Sequence, residues 1–99
     1  MKLIENKMPM IIALCKKHKV NNLFVFGSIL TDKFNSESDI DFIVKFNKNE
    51  IIDYFDNYFD FKYALEELFD REIDLVEEQA IRNPYFKETI DSTKTLIYG

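Results

Sequence analysis

The chain has 99 residues, enough for one small domain spanning 1–99 and too few for two. Its 46% hydrophobic and 31% charged content is that of an ordinary soluble globular protein. A net charge of −5 argues against a basic surface for nonspecific nucleic-acid binding; it fits carboxylates that hold metal ions, or an acidic face for a basic partner, and plain soluble proteins share it. No apolar run approaches the roughly 18 residues of a membrane span. The N-terminus lacks the apolar region and cleavage site of a signal peptide, so the cytoplasm is the expected compartment. Cys15 is the sole cysteine, which excludes an intrachain disulfide and a cysteine metal site and leaves it as a small core residue.

In chain order, residues 7–18, KMPMIIALCKKH, are expected to form a helix. Asn6 is placed to cap it, and Pro9 is tolerated in its first turn. Met8, Ile11, Ile12 and Cys15 fall on one side at helical spacing. Lys16, Lys17, His18 and Lys19 put positive charge at the C-terminal end, where the helix dipole favours it, and His18 is expected there as a solvated cap. Residues 22–26, NLFVF, read as a short, continuously apolar strand that Gly27 ends. Residues 28–32 suit a turn or short helix, and 33–38, KFNSES, a polar loop. Residues 39–46 form the second strand. Residues 50–70 are helical by pattern, with a break possible between Asn57 and Asp60 amid dense aromatics expected in the core or at a partner interface. Residues 72–76, EIDLV, make a third strand. The last helix covers 84–92, with Asn83 as its cap and Pro84 at its first position. Leu96, Ile97 and Tyr98 in the tail are expected to dock on the core. This order predicts an α/β (α+β) domain with a small mixed sheet of three or more strands packed against helices.

Three features of this pattern concern chemistry. In the second strand Ile40, Phe42, Val44 and Phe46 claim one face, so Asp39 and Asp41 point to the other. Two half-buried carboxylates side by side repel each other and call for a cation. They suit Mg²⁺, which takes oxygen ligands and is completed by phosphates and water; solvated acids at a strand edge are the alternative. Gly27-Ser28, at the end of the first strand, permits a tight turn with close backbone approach and offers a hydroxyl donor to an anion, or forms a simple turn. Asp74 interrupts the third strand in the same way as Asp41 does the second, with Ile73 and Leu75 facing the core. A third carboxylate on the same face would complete a two-metal site. A chance match to Gly-Ser, ten residues and Asp-x-Asp in so short a chain is on the order of one in a thousand.

On these residues, GSILTDKFNSESDID and REIDLV, the sequence resembles the minimal nucleotidyltransferases (MNT domains) of the DNA polymerase beta superfamily. The closing IRNPYFKETIDSTKTLIYG is similar to the family's final helix and apolar tail, and the likeness runs from about residue 7 to the end. It implies that Gly27 and Ser28 hold the triphosphate of ATP, and that Asp39 and Asp41 bind two Mg²⁺ ions. It also implies that Asp74 binds the catalytic metal and helps to deprotonate the attacking hydroxyl. Many relatives carry a basic segment after Gly-Ser; here it reads Ile29-Leu30-Thr31-Asp32, and Lys33 is the nearest cation that could serve the triphosphate.

The resemblance further implies a partner. Stand-alone MNT proteins of prokaryotes typically accompany a HEPN-domain ribonuclease toxin, and as antitoxins transfer AMP from ATP to one of its tyrosines. An acidic antitoxin facing a basic, RNA-cutting partner is electrostatically sensible. Two alternatives stand beside this reading. One is a nucleotidyltransferase with a small-molecule acceptor, which usually needs an added domain. The other is a non-catalytic antitoxin acting by contact alone, which need not bind ATP with Mg²⁺.

Overall fold

The computed structural model describes all 99 residues. The chain begins with a single helical turn, α1 (Lys2–Glu5), and then α2 (Met8–Lys17). Asn6 does not cap α2: its N–H closes α1, Lys7 takes the cap position without a side-chain bond, and Pro9 lies in the first turn. Four residues carry no periodicity, so α1 left no trace in the hydrophobic pattern, yet its Ile4 is buried.

Strand β1 (Val20–Phe26) runs into a 3₁₀ turn over Gly27–Leu30. A polar loop leads to β2 (Ile40–Phe46). Helix α3 (Tyr54–Phe69) is unbroken, without the interruption expected near Asn57–Asp60. It starts later than position 50 because Lys48–Glu50 form their own 3₁₀ turn and the Asp53 carboxylate caps the helix by accepting from the Asp56 N–H. It ends at Asp70, whose left-handed backbone (φ 52°) turns the chain into β3 (Ile73–Glu77). In α4 (Pro84–Thr93) the Asn83 side chain accepts from the N–H groups of Tyr85 and Phe86, as the sequence predicts. The tail forms a strand, β4 (Thr95–Tyr98).

The sheet order is β3-β2-β1-β4. β1 pairs antiparallel with β2 and with β4, while β2 and β3 are parallel, joined by the α3 crossover. One sheet face carries Leu23, Val25, Ile40, Phe42, Val44, Ile73 and Leu75 into a core closed by Ile11 and Cys15 of α2 and Phe61, Leu65 and Phe69 of α3. Burial pushes the Cys15 thiol up to about 12, so it is an inert core residue. His18 is not the solvated cap expected from its lysine neighbours. It is 7% exposed, its ring lies 5.5 Å from that of Phe61, and its carbonyl accepts from the Asn57 side chain. The helix end turns inward because α3 packs across it, which no local pattern reveals.

Candidate active site

The face of the sheet opposite the core carries the acids. Alternation along β2 puts Asp41, Ile43 and Lys45 on this face while Ile40, Phe42, Val44 and Phe46 point into the core. Parallel pairing sets Asp41 beside Asp74, and antiparallel pairing sets Asp41 beside Phe26. The row across three strands is therefore Asp74, Asp41, Phe26, with Gly27 next along β1. Register partners share a face, so Asp74 stands with Asp41, as the sequence left open. Asp39 sits just before β2, exposed like Asp74, while Asp41 is half-buried.

Gly27 explains how Asp41 fits. Its backbone has φ +76°, and a Cβ built there would lie 2.4 Å from Asp41 Oδ2. The carboxylate is thus in close approach to the turn's backbone, a space only glycine leaves open. Burial, then the Asp74 and Asp39 charges, raises the Asp41 carboxyl above its ordinary 3.8. No protein cation is paired with it: the salt bridges of the molecule join Asp91 to Lys87 and to Lys94.

The other predicted residues are less gathered. Ser28 is half-buried, its carbonyl accepts from both the N–H and the hydroxyl of Thr31, and its own hydroxyl has no partner within the protein. Lys33 is exposed, and its N–H donates to Thr31 Oγ1; its ammonium is paired with none of the acids. Ile29 and Leu30, standing where relatives carry basic residues, are absorbed by the core.

The three acids offer hard oxygen donors, the chemistry Mg²⁺ requires. They do not converge into a cage able to hold a metal by protein groups alone. That agrees with the usual Mg²⁺ pattern of one or two carboxylates completed by substrate phosphates and water. The residues present therefore fit a metal that arrives with a nucleotide.

Two side chains around this row escaped the sequence reading. Tyr58 of α3 donates its hydroxyl to the Leu75 carbonyl, tying the helix to the strand that carries Asp74. Arg71 donates to the carbonyls of Asn35 and Ser38 in the loop before Asp39. Arg71 had a signal, being a lone cation in the acidic run EELFDREIDLVEE.

Comparison with known proteins gives the class. The family model for polymerase beta nucleotidyltransferases matches residues 10–99. Two proteins of Methanocaldococcus jannaschii, both assigned as protein adenylyltransferases, are 35% identical over 82 residues and 38% identical over 83. These matches cover 83% and 84% of this chain, and 79% and 80% of the relatives. Among solved structures, a minimal nucleotidyltransferase superposes with a TM-score of 0.76 at 23% identity, covering 95% of this chain and 92% of the other. A toxin–antitoxin complex with AMP-PNP contains a chain that superposes at 0.69 and 20% identity, over 93% of this chain and 73% of that one. A complex of tri-AMPylated Shewanella oneidensis HEPN toxin with its MNT antitoxin gives 0.65 at 18% identity, over 97% and 72%. The chain belongs to the polymerase beta nucleotidyltransferase family. Its fold is that of a minimal nucleotidyltransferase, a transferase class.

Proposed function

We propose that this protein uses Mg²⁺ and ATP to transfer AMP to a tyrosine of a HEPN-type ribonuclease toxin in the cytoplasm, and so acts as its antitoxin. The observation that carries the reading is Asp41: half-buried, in register with Asp74, held against the Gly27 backbone and without a protein cation. Its assignment as a protein adenylyltransferase follows the M. jannaschii relatives. The HEPN partner follows the neighbouring toxin–antitoxin complexes.

In this reading Asp39 and Asp41 hold the metal ions and Asp74 completes the site. Mg²⁺, when bound, neutralises the triphosphate and the charge that develops on it during transfer. Gly27 leaves the backbone open to the phosphates, and Ser28 and Lys33 donate to them. Asp74 accepts the phenol proton of the incoming tyrosine. The tyrosine oxygen bonds to the α-phosphorus, the bond from that phosphorus to the bridging oxygen breaks, and pyrophosphate leaves with the electron pair. Asp39 and Asp74 are exposed. An acceptor displayed on another macromolecule can therefore reach the row.

The test is transfer of α-labelled ATP, with Mg²⁺, to a co-expressed HEPN partner, with the Asp39→Asn, Asp41→Asn double variant as control. Label on a partner tyrosine that is lost in the variant supports the reading. Tight association without label identifies an antitoxin acting by contact and overturns it.

A further inference from the structure

Asp39 is exposed and its carboxylate makes no hydrogen bond within the protein, so its position is set by backbone alone. Arg71 and Glu72 grip that backbone from both sides. Arg71 Nη1 donates to the Ser38 carbonyl at 2.8 Å and to the Asn35 carbonyl at 3.1 Å. The Glu72 carbonyl accepts from the Ile40 N–H at 3.2 Å. The peptide groups before and after Asp39 are thus both fixed to the dipeptide that leads into β3. Two residues further on, the same segment carries Asp74.

The remaining hydrogen bonds of the loop are local. Asn35 N–H donates to Ser38 Oγ, Glu37 N–H to Asn35 Oδ1, and Ser38 N–H to the Asn35 carbonyl. Before Ile40, Arg71 is the only distant residue that hydrogen-bonds into the loop. Its guanidinium carbon lies 4.8 Å from the centre of the Phe34 ring, and Phe34 packs against the core. Its Nε is buried and has no partner, so the side chain keeps this pose at the cost of one unmet donor.

We propose that Arg71 is a positioning residue of the transfer reaction: it holds the 34–38 loop so that Asp39 stands at a fixed distance from Asp41 and Asp74 before any metal arrives. The inference rests on the acid row being the metal–nucleotide site. Both bonds come from the one nitrogen Nη1, so what lysine lacks here is the planar face that lies against Phe34; without it the side chain is not held in this pose.

The test compares wild type, Arg71→Gln and Arg71→Lys as full chains. The readouts are the Mg²⁺ concentration giving half-maximal AMP transfer, the rise in Tm with Mg²⁺ and ATP, and amide hydrogen exchange of residues 35–40 in the metal-free protein. Both variants are expected to need roughly 10–100-fold more Mg²⁺, to keep most of the rate at saturating Mg²⁺, and to exchange faster at 35–40. A merely structural role would lower Tm and leave the Mg²⁺ requirement of the folded fraction unchanged, which overturns the proposal. So does an Arg71→Lys variant that behaves as wild type. A wild type with no Mg²⁺-dependent response overturns the transferase reading and this proposal with it, whereas a responsive wild type matched by Arg71→Gln overturns the role of Arg71 alone. If Arg71→Gln fails to fold, Phe34→Leu carries the test. It removes the stacking face but keeps an apolar side chain, and a smaller shift in the same direction is expected; no shift overturns the proposal.

Discussion

Asp41 lies half-buried beside two further carboxylates and against the Gly27 backbone, with no lysine or arginine paired to it. Its folded-state pKa lies above the unfolded value, so the native chain holds that proton more tightly than the unfolded one. Stability from this group is therefore full below the ordinary value of 3.8 and is lost as pH rises through the raised value. The metal-free Asp41→Asn variant is expected to melt above wild type at neutral pH, and the gap is expected to close as pH falls into the carboxylate range. A gap that does not change with pH would contradict this. Gly27→Ala tests the other side of the same contact. A left-handed backbone costs a residue with a Cβ about 1–2 kcal/mol, which in a domain of this size lowers Tm by several degrees. The added methyl also meets the Asp41 carboxylate, so the variant is expected to lose much of its stabilisation by Mg²⁺ and ATP in a melting assay.

At the scale of elements, β4 has the clearest consequence. It pairs Thr95, Leu96 and Tyr98 with Val25, Phe24 and Leu23 of β1. A chain cut after Lys94 leaves β1 as an open sheet edge. It is expected to melt lower and to self-associate with rising concentration in sedimentation experiments; unchanged stability would show that β4 is dispensable. The sequence announced Leu96, Ile97 and Tyr98 as core-docking residues but not as a strand, because four residues are too few for a period of two to show; Ile97 and Tyr98 do pack against the core, whereas Leu96 is exposed. The second strand was legible because Ile40, Phe42, Val44 and Phe46 alternate strictly, and α4 because Asn83 and Pro84 mark its start. The spacing of Gly27, Ser28, Asp39 and Asp41 was legible for the same local reason. The pairing of Asp41 with Asp74, the burial of His18 under α3 and the reach of Arg71 across 33 residues to Ser38 are tertiary facts with no local signature.

At the scale of the molecule, no helix is long and apolar enough to cross a membrane, and the net charge is −5. If the proposed partner is basic, an acidic protein is drawn to it over about a Debye length, roughly 10 Å at 0.1 M salt. Its association rate with a HEPN partner is expected to fall steeply as salt rises, read by stopped-flow mixing, while dissociation changes less. A salt-independent association rate would argue for an apolar docking face instead. The acid row lies on one sheet face and the core closed by α2 and α3 on the other. This division lets carboxylates cluster without entering the core.

The claim on which the account depends is that Asp39, Asp41 and Asp74 form a metal–nucleotide site. The most direct test is the melting temperature of wild type and of the Asp39→Asn, Asp41→Asn double variant, each alone, with Mg²⁺, with ATP and with both. The account predicts a rise in wild type that needs Mg²⁺ and ATP together, and no rise in the variant. An equal rise in the two proteins, or none in either, would contradict it.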